Sequence, residues 1–264
     1  MYSSVAVMNA TAKITDLYDE GALPDTRYIG AEGFAVIVEA DGQRTLFGLG
    51  KRGRYLSHNL GEMEVKADSI DRLAVSHGHL AHCGGFRELL TERSPEAPKL
   101  PVYAPASAWG HKGIIYPVGL YAPPELSGRY ERKELSTGWT ELSEHLALSP
   151  PLPFDGGEEC VLVLRTETGP AVICGCAHPG VQKIIDTVKA QYGLPPQAFI
   201  GGLHIGKKND ARADECAQAL EGCGCRQLYL NHCTAVEGTG RMRVTLGIDG
   251  VKDFYVGMSL TFKL

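Results

Sequence analysis

The stretch Ser76–Gly85 reads SHGHLAHCGG and places three histidines within six residues. It follows the apolar run 72–75 (RLAV), which predicts a short strand, and it leads into 84–91, whose apolar residues share one side of a predicted helix. Neutral imidazole binds both zinc and iron, and a tight loop can present several imidazoles to one ion. The bland alternative is three surface histidines near a helix N-terminus. The HxHxxH spacing between a strand and two glycines favours a metal site.

Composition limits the partners. The chain is 44% hydrophobic and 22% charged, with a formal net charge of −5 and no dense run of Lys and Arg. Such a chain is not expected to bind nucleic acid or an anionic membrane. A small-molecule substrate is expected instead, and the sequence does not indicate an oligomeric state.

The expected location is the cytoplasm. No apolar run approaches the roughly 20 residues that span a bilayer, and the N-terminus lacks the pattern of a signal peptide. Eight cysteines are present, but the pairs 174/176 and 223/225 are too close for ordinary disulfides. Reduced thiols, buried or near a site, are therefore expected.

The remaining pattern predicts α/β layers. Asp41-Gly42 between 34–40 and 44–49 is a strong hairpin signal. Further strands are predicted at 160–165, 170–174, 198–202 and 227–230, helices at 180–192 and 210–220, and polar loops at 92–101, 117–128 and 149–157. No repeat and no composition shift divides the chain, which predicts a single domain over 1–264.

Five histidines fall at or just after the ends of predicted strands: His77, His79, His178, His204 and His232. Adjacent strands bring their ends together at one edge of a sheet. Histidines distant in sequence are therefore expected to share one mouth.

Several short motifs in order carry a resemblance. They are GAEGFAVIVEADGQRTLFGLG, SHGHLAHCGGF, VICGCAHPGV, FIGGLHI and NHCTAVEG, spread over about 31–235. The chain resembles the metallo-β-lactamase superfamily, whose signature is a strand followed by HxHxDH and a helix. Within it, the chain is most similar to the dihydropterin-methyl-aminobenzene ribofuranosyl phosphate synthases of methanopterin biosynthesis. The resemblance implies a four-layer αββα sandwich of two mixed sheets, with the site at one edge.

The resemblance also implies a first metal site. His77 and His79 match the first two metal-binding histidines, and His178 is the candidate for the third ligand. His204, in GGLH, is expected to contact substrate or to transfer a proton. A His₃ set with room for water can generate a nucleophile at neutral pH.

A second metal site is implied by three further positions. His82 matches the third histidine of the motif, and His232 matches the late histidine that serves the second metal. Cys176 stands where many relatives carry a bridging aspartate, and thiolate is a good zinc ligand.

Two departures from the family pattern weaken that second site. Ala81 replaces the aspartate of HxHxDH, and Gly48 replaces the aspartate of LFDTG. A lost supporting partner alone costs about 10–100-fold in metal affinity. The leading expectation is a mononuclear or altered centre with one zinc ion, or alternatively iron or manganese, at His77, His79 and His178. The remaining donors then complete an altered second site or act without metal. An intact dinuclear centre and an essentially metal-free pocket stay open as alternatives.

Basic residues near the motifs are candidates for substrate binding. Lys51, Arg52 and Arg54 follow the LFGLG turn and Lys207 follows His204, where they can meet a phosphate or carboxylate or simply face solvent. The Glu158-Glu159 pair precedes a predicted strand and is predicted to be a solvated acidic turn, with a reach into the mouth of the site as the alternative. Three other histidines are expected to be structural or exposed: His58, His111 and His145.

The leading functional prediction is a metal-dependent enzyme, either hydrolase-like or a pterin-related transferase. It would act on a small anionic substrate, with His204 or His232 assisting proton transfer. The alternative is a non-catalytic binding or sensing protein that kept the fold. Ala81 and Gly48 favour that alternative, and the retained histidines oppose it.

Overall fold

A computed structural model describes residues 10–110 and 119–264 of the chain. His111 lies outside these residues. The described strands form two seven-stranded sheets and one separate two-stranded hairpin.

The first sheet contains the N-terminal strands and the last strand of the chain, in the order β16-β1-β2-β3-β4-β5-β6. Its strands are β1 (Thr11–Tyr18), β2 (Ala35–Ala40), β3 (Gln43–Gly48), β4 (Arg72–Ala74), β5 (Leu100–Ala104), β6 (Tyr130–Glu134) and β16 (Ser259–Lys263). The hairpin predicted at Asp41-Gly42 joins β2 to β3, with φ of 53° and 71° at the two turn residues. Both angles are positive, as a type I′ turn requires.

The second sheet has the order β15-β14-β13-β12-β11-β8-β7. Its strands are β7 (Thr140–Glu141), β8 (Leu146–Leu148), β11 (Leu162–Thr166), β12 (Gly169–Cys174), β13 (Ala198–Gly201), β14 (Gln227–Leu230) and β15 (Val251–Asp253). β12, β13, β14 and β15 run parallel, and β11 and β12 are antiparallel. Parallel pairing places the carboxyl ends of three successive strands side by side, where the predicted histidines follow them.

Helices cover the outer face of each sheet. They are α1 (Gly53–Glu62), α2 (Leu80–Cys83), α3 (Phe86–Glu92), α4 (Val181–Tyr192), α5 (Asp210–Cys223) and α6 (Val236–Leu246). One apolar cluster lies between α1, α3 and the first sheet, and a second between α4, α5, α6 and the second sheet. A third cluster, which includes Phe34, Phe47 and Ile200, fills the space between the sheets. The predicted αββα sandwich of two mixed sheets is confirmed.

Some elements were missed by the sequence pattern. The segment 149–157, predicted to be a loop, contains β9 (Leu152–Phe154) and the start of β10 (Gly157–Glu159), which pair as a hairpin. α6 was missed because its apolar residues do not form one stripe: Val236 and Val244 are 84% and 86% exposed. Within the two described ranges, the helices are too short or too polar for any to cross a bilayer.

Candidate metal centre

The ends of four strands converge at one edge of the sandwich. His77 follows β4 of the first sheet, while Cys176, His204 and His232 follow β12, β13 and β14 of the second. Because these three strands are parallel neighbours, their following loops emerge together. Histidines that are distant in sequence therefore lie together at one edge of the sandwich.

His77, His79 and His178 form a first triad of donor atoms. His77 Nε2 lies 3.1 Å from His79 Nδ1, and His79 Nδ1 lies 3.2 Å from His178 Nε2. His77 is fully buried, His79 is exposed and His178 is half-buried. Phe154, in the β9–β10 hairpin, stacks on His178 with ring centroids 4.5 Å apart. The first triad therefore has one side in the protein and one side open.

His82, Cys176 and His232 form a second triad. His82 Nε2 lies 3.2 Å from Cys176 Sγ and 3.2 Å from His232 Nε2, and Cys176 Sγ lies 3.5 Å from His232 Nε2. All three residues are buried. These three donors thus lie together at a spacing similar to that of the first triad, although Ala81 stands where the family has a metal-binding carboxylate.

The spacing of both triads fits a tetrahedral metal ion. Zinc–nitrogen bonds of about 2.0–2.1 Å and zinc–sulfur bonds of about 2.3 Å place neighbouring donors about 3.3–3.6 Å apart. The observed separations are 3.1–3.5 Å. Hydrogen bonding alone does not explain three imidazoles meeting nitrogen to nitrogen, because each neutral ring has only one N–H.

The lowered pKa values of three histidines also favour the binding of a metal cation. Burial lowers the pKa of His77 and His82 well below the ordinary value, and burial followed by the charge of His204 lowers the pKa of His178 to about 4. These imidazoles are therefore neutral at pH 7 and keep a lone pair for a metal. The Nδ1 atom of His82 is buried without a hydrogen-bond partner, so that ring lacks the outer acceptor that a ligating histidine usually has.

Glu159 supports the centre from behind. Its side chain is fully buried, and its carboxylate accepts the backbone N–H of Cys176 at 2.8 Å, of Ala177 at 3.0 Å and of His178 at 2.8 Å. It also lies 3.9 Å from His77 Nδ1. The prediction of a solvated acidic turn was wrong for Glu159. In β10 adjacent side chains point to opposite faces, so Glu158 stays outside while Glu159 turns inward.

A second acidic group, from the end of β1, holds His232. Glu20 Oε1 lies 3.0 Å from His232 Nδ1, and Asp19 Oδ2 accepts the backbone N–H of His232 at 3.3 Å. The sequence analysis missed both residues because it did not predict β1. The alternation of polar and apolar residues in TAKITDLY was the available signal.

The two altered positions have different structural settings. Gly48 has a φ of 82°, and a Cβ there would lie 2.4 Å from the carbonyl oxygen of Phe34, so this backbone needs glycine. Ala81 lines the cavity, and its carbonyl accepts the backbone N–H of Phe34 at 3.1 Å. Three acidic side chains from other segments, Glu159, Asp19 and Glu20, lie around the centre, and burial raises the pKa of Glu159 and of Asp19.

A cavity of about 1150 Å³ opens over the centre. The residues that line it include both acidic and basic side chains beside the donors: Glu20, Glu32, Lys51, Arg52, Arg54, His79, Ala81, His82, Glu88, Cys176, His204, His232 and Cys233. Lys51 forms an ion pair with Glu32, and the Arg54 guanidinium stacks over Tyr55 at 4.7 Å. Lys207 is exposed and is not among the lining residues, so the structure does not bring it together with the other three cations.

His204 and Cys233 stand beside the second triad. The donor atoms of Cys176, His204 and Cys233 lie within 4.8 Å of one another. Burial would lower the pKa of His232, but the charge of Cys233 and its hydrogen bond, with Glu20, raise that pKa well above the ordinary value. Burial would raise the pKa of the Cys233 thiol, but Cys176 and the His232 charge lower it well below. Without metal these shifts favour a proton on His232 and a thiolate at Cys233, and a bound cation would displace the proton.

Comparisons with known proteins agree with this architecture. No family model matches the chain. A curated relative from Methanocaldococcus jannaschii, 7,8-dihydropterin-6-methyl-4-(β-D-ribofuranosyl)-aminobenzene-5'-phosphate synthase, is 23% identical over 244 residues, covering 76% of this chain and 79% of its own.

Solved structures show the same layers. A metal-dependent hydrolase of the β-lactamase superfamily superposes with a TM-score of 0.79 at 22% identity, covering 96% of this chain and all of its own. The short form of human tRNase Z has a TM-score of 0.60 at 17% identity, covering 96% of this chain and 100% of its own. The resemblance noted from the sequence is confirmed: the chain has the metallo-β-lactamase fold, with its two donor triads at the edge where the strands of both sheets end.

Proposed function

We propose that the chain is a metal-dependent enzyme acting on a small, phosphate-bearing or otherwise anionic substrate in the cavity over the two triads. One observation carries the proposal: two triads of donor side chains, with neighbouring donor atoms 3.1–3.5 Å apart, adjoin an open cavity that His79, His82, Cys176 and His232 line. The hydrolase and the synthase with which the chain was compared are both enzymes, which supports the same direction.

The donor set favours zinc. Imidazole and thiolate suit zinc, whereas manganese prefers carboxylate, carbonyl and water ligands. When bound, a divalent cation in such a site acts as a Lewis acid toward substrate oxygens. His77, His79 and His178 would hold one ion, and His82, Cys176 and His232 a second. The proposal thus revises the expectation of a single ion, because the second triad is as closely assembled as the first.

His204 is the proposed proton carrier. Its side chain is exposed at the cavity, and a hydrogen bond donated to Cys233 raises its pKa above the ordinary value of 6.5. Near neutral pH it can therefore give a proton to a leaving group. His232 is buried and bonded to Glu20, which suits a ligand better than a proton carrier.

The cavity cations are the proposed contacts for a substrate anion. Arg52 and Arg54 are exposed at its rim, and Lys51 is already paired with Glu32. Guanidinium groups bind phosphate and carboxylate oxygens in bidentate geometry. The methanogen relative's name includes a ribofuranosyl 5'-phosphate, and this supports a phosphate group on the substrate of the present chain.

Metal-dependent hydrolysis of a phosphodiester panel tests the proposal. Zinc-loaded wild-type protein should turn over at least one member, and chelation should abolish turnover until zinc is restored. His79→Ala should lower kcat/KM by more than about 100-fold, since one ligand of three is removed. His58→Ala, whose ring contacts the Arg27 carbonyl, is the matched control and should retain full activity. Full activity in His79→Ala or in chelated protein would refute the proposal.

Ala81 supports a second candidate, a protein that binds such an anion without transforming it. Ala81, which stands in place of the family's carboxylate, lines the cavity. Calorimetric titration with phosphomonoesters separates the two functions. Saturable binding with no turnover of any panel member by fully metal-loaded protein would favour the binding protein over the enzyme.

A further inference from the structure

Cys233 directly follows His232 in the loop after β14, and the sequence analysis gave it no role. Its φ of 47° lies in the left-handed region, which a side chain other than glycine adopts only when its surroundings hold it there. The backbone N–H of His204 donates to its Sγ at 3.2 Å. A Cβ on Gly202 would lie 2.4 Å from the same sulfur. The thiol is therefore fixed in position by two neighbouring loops.

The fixed thiol lies beside the second triad. Its sulfur lies within 4.8 Å of the donor atoms of Cys176 and His204. Cys176 is one of the three donors of that triad, and His232, the residue before Cys233, is another. Backbone N–H donors and a neighbouring thiolate are typical surroundings of a metal-bound cysteine.

The charge of the second triad leaves room for one more anion. Two neutral imidazoles and one thiolate carry a single negative charge against a divalent cation. The carboxylate that would add the second charge is absent at Ala81. A second thiolate would make the site neutral and give it the Cys₂His₂ ligand set of closed zinc sites.

We propose that Cys233 is the fourth ligand of the ion at His82, Cys176 and His232, in place of the carboxylate that is absent at position 81. The inference rests on the proposed metal-dependent function. Its consequence is a difference in coordination: the second ion has four protein ligands, whereas the ion of the first triad has three and keeps one open position. The ligand is a borderline-soft divalent cation such as zinc or cobalt.

Cobalt substitution tests the assignment. The Co²⁺-loaded wild type should show thiolate-to-cobalt charge-transfer absorption from two sulfurs. Cys233→Ser should lose about half of that absorption, and its affinity for the second equivalent of metal should fall by at least about 10-fold. Cys223→Ser is the matched control, because Cys223 is equally half-buried but bonds only to the Leu220 carbonyl at the end of α5. It should match the wild type.

A carboxylate introduced at position 81 tests whether it can replace the thiol of Cys233 as a ligand. In the double variant Ala81→Asp with Cys233→Ser, affinity for the second ion should return toward the wild-type value. A Cys233→Ser protein with unchanged absorption and unchanged affinity for the second equivalent would overturn the assignment. A wild type that binds no cobalt at all would instead refute the proposed metal-dependent function, so the two failures are distinguishable.

Alkylation of the unmutated protein gives a test that does not depend on a variant folding. With saturating zinc, Cys176 and Cys233 should both resist iodoacetamide, and after chelation Cys233, which is partly exposed, should react. Cys223 should react equally in both samples. Alkylation of Cys233 at the same rate with and without zinc would contradict the assignment.

Discussion

The two triads of the centre differ in exposure and in charge. The first consists of three imidazoles, with His79 exposed and His178 covered on one side by Phe154. The second is buried, contains a thiol and is bordered by Glu20 and Cys233. A neutral, open donor set leaves a bound cation electrophilic, whereas an anionic, enclosed set neutralises it. Under the proposed function, the neutral first triad would serve the chemistry and the anionic second triad would retain an ion, although the donors of the second triad also line the cavity.

The largest effect should come from removing a donor of the open triad. His178→Ala should lower kcat/KM by more than about 100-fold and reduce the bound metal from two ions to one. The remaining ion should keep its thiolate-to-cobalt absorption, because the second triad is untouched. Elemental analysis together with the cobalt spectrum checks this. Loss of both ions would show that the triads are one cooperative unit.

Glu159→Gln should have the next largest effect, on folding. The carboxylate is the buried acceptor of three backbone N–H groups, and an amide has one acceptor oxygen and a donor that faces those groups. We expect a loss of about 2–3 kcal/mol in the free energy of unfolding, measured by denaturant titration of the metal-free protein. Glu158→Gln, its half-buried neighbour, whose carboxylate accepts only the long 3.4 Å bond from the Ser107 backbone N–H among the hydrogen bonds described for it, should change that energy by about 1 kcal/mol or less. Equal effects of the two variants would contradict the supporting role of Glu159.

Gly202→Ala should disturb the enclosed triad selectively. The added methyl group meets Cys233 Sγ at 2.4 Å and two backbone carbonyl oxygens at 2.5 and 2.6 Å. We expect about 2 kcal/mol of destabilisation and weaker binding of the second ion only. Gly206→Ala, where no atom lies within 4 Å, is the control. Weaker binding of the ion at the first triad alone would contradict this expectation.

The smallest effect is expected from Glu20→Gln. The glutamine keeps a hydrogen bond to His232 Nδ1 but removes the charge that orients and polarises the ring. Because Glu20 is partly exposed, the loss of affinity for the second ion should lie near the lower end of the range for such partners, about 10-fold. Competition with a chelating dye measures it. A change larger than that of Cys233→Ser would indicate that Glu20, rather than the thiol, supplies the missing charge.

Much of the fold and most donors follow from sequence. The HxHxxH spacing after a strand located the site, and the 3.6-residue pattern of Val181, Ile184 and Ile185 predicted α4 almost to its ends. The supporting acids did not follow, because their burial depends on pairing between distant strands. One signal was present for Glu159: it directly precedes the apolar run CVLVLR, so one of two adjacent glutamates had to face inward.

The negative charge available at the second metal site did not follow from the sequence, for a related reason. Ala81 removes a carboxylate, but an anion from another part of the chain can take its place. Cys233 is adjacent in sequence to a predicted ligand, but adjacency in sequence does not indicate where its side chain points. Its left-handed φ, which turns it toward Cys176, is a property of the folded loop.

The donors of the second sheet lie very near the ends of their strands. Cys176, His204 and His232 come two or three residues after β12, β13 and β14. Neighbouring strands are held about 4.8 Å apart by their hydrogen bonds. The sheet therefore sets where the three loops begin, but β13 lies between β12 and β14, so the short loops themselves bring Cys176 Sγ and His232 Nε2 to 3.5 Å. The longer segments between the strands, including α4 and α5, are separate from these loops, and changes of length there should leave the ligand spacing as it is.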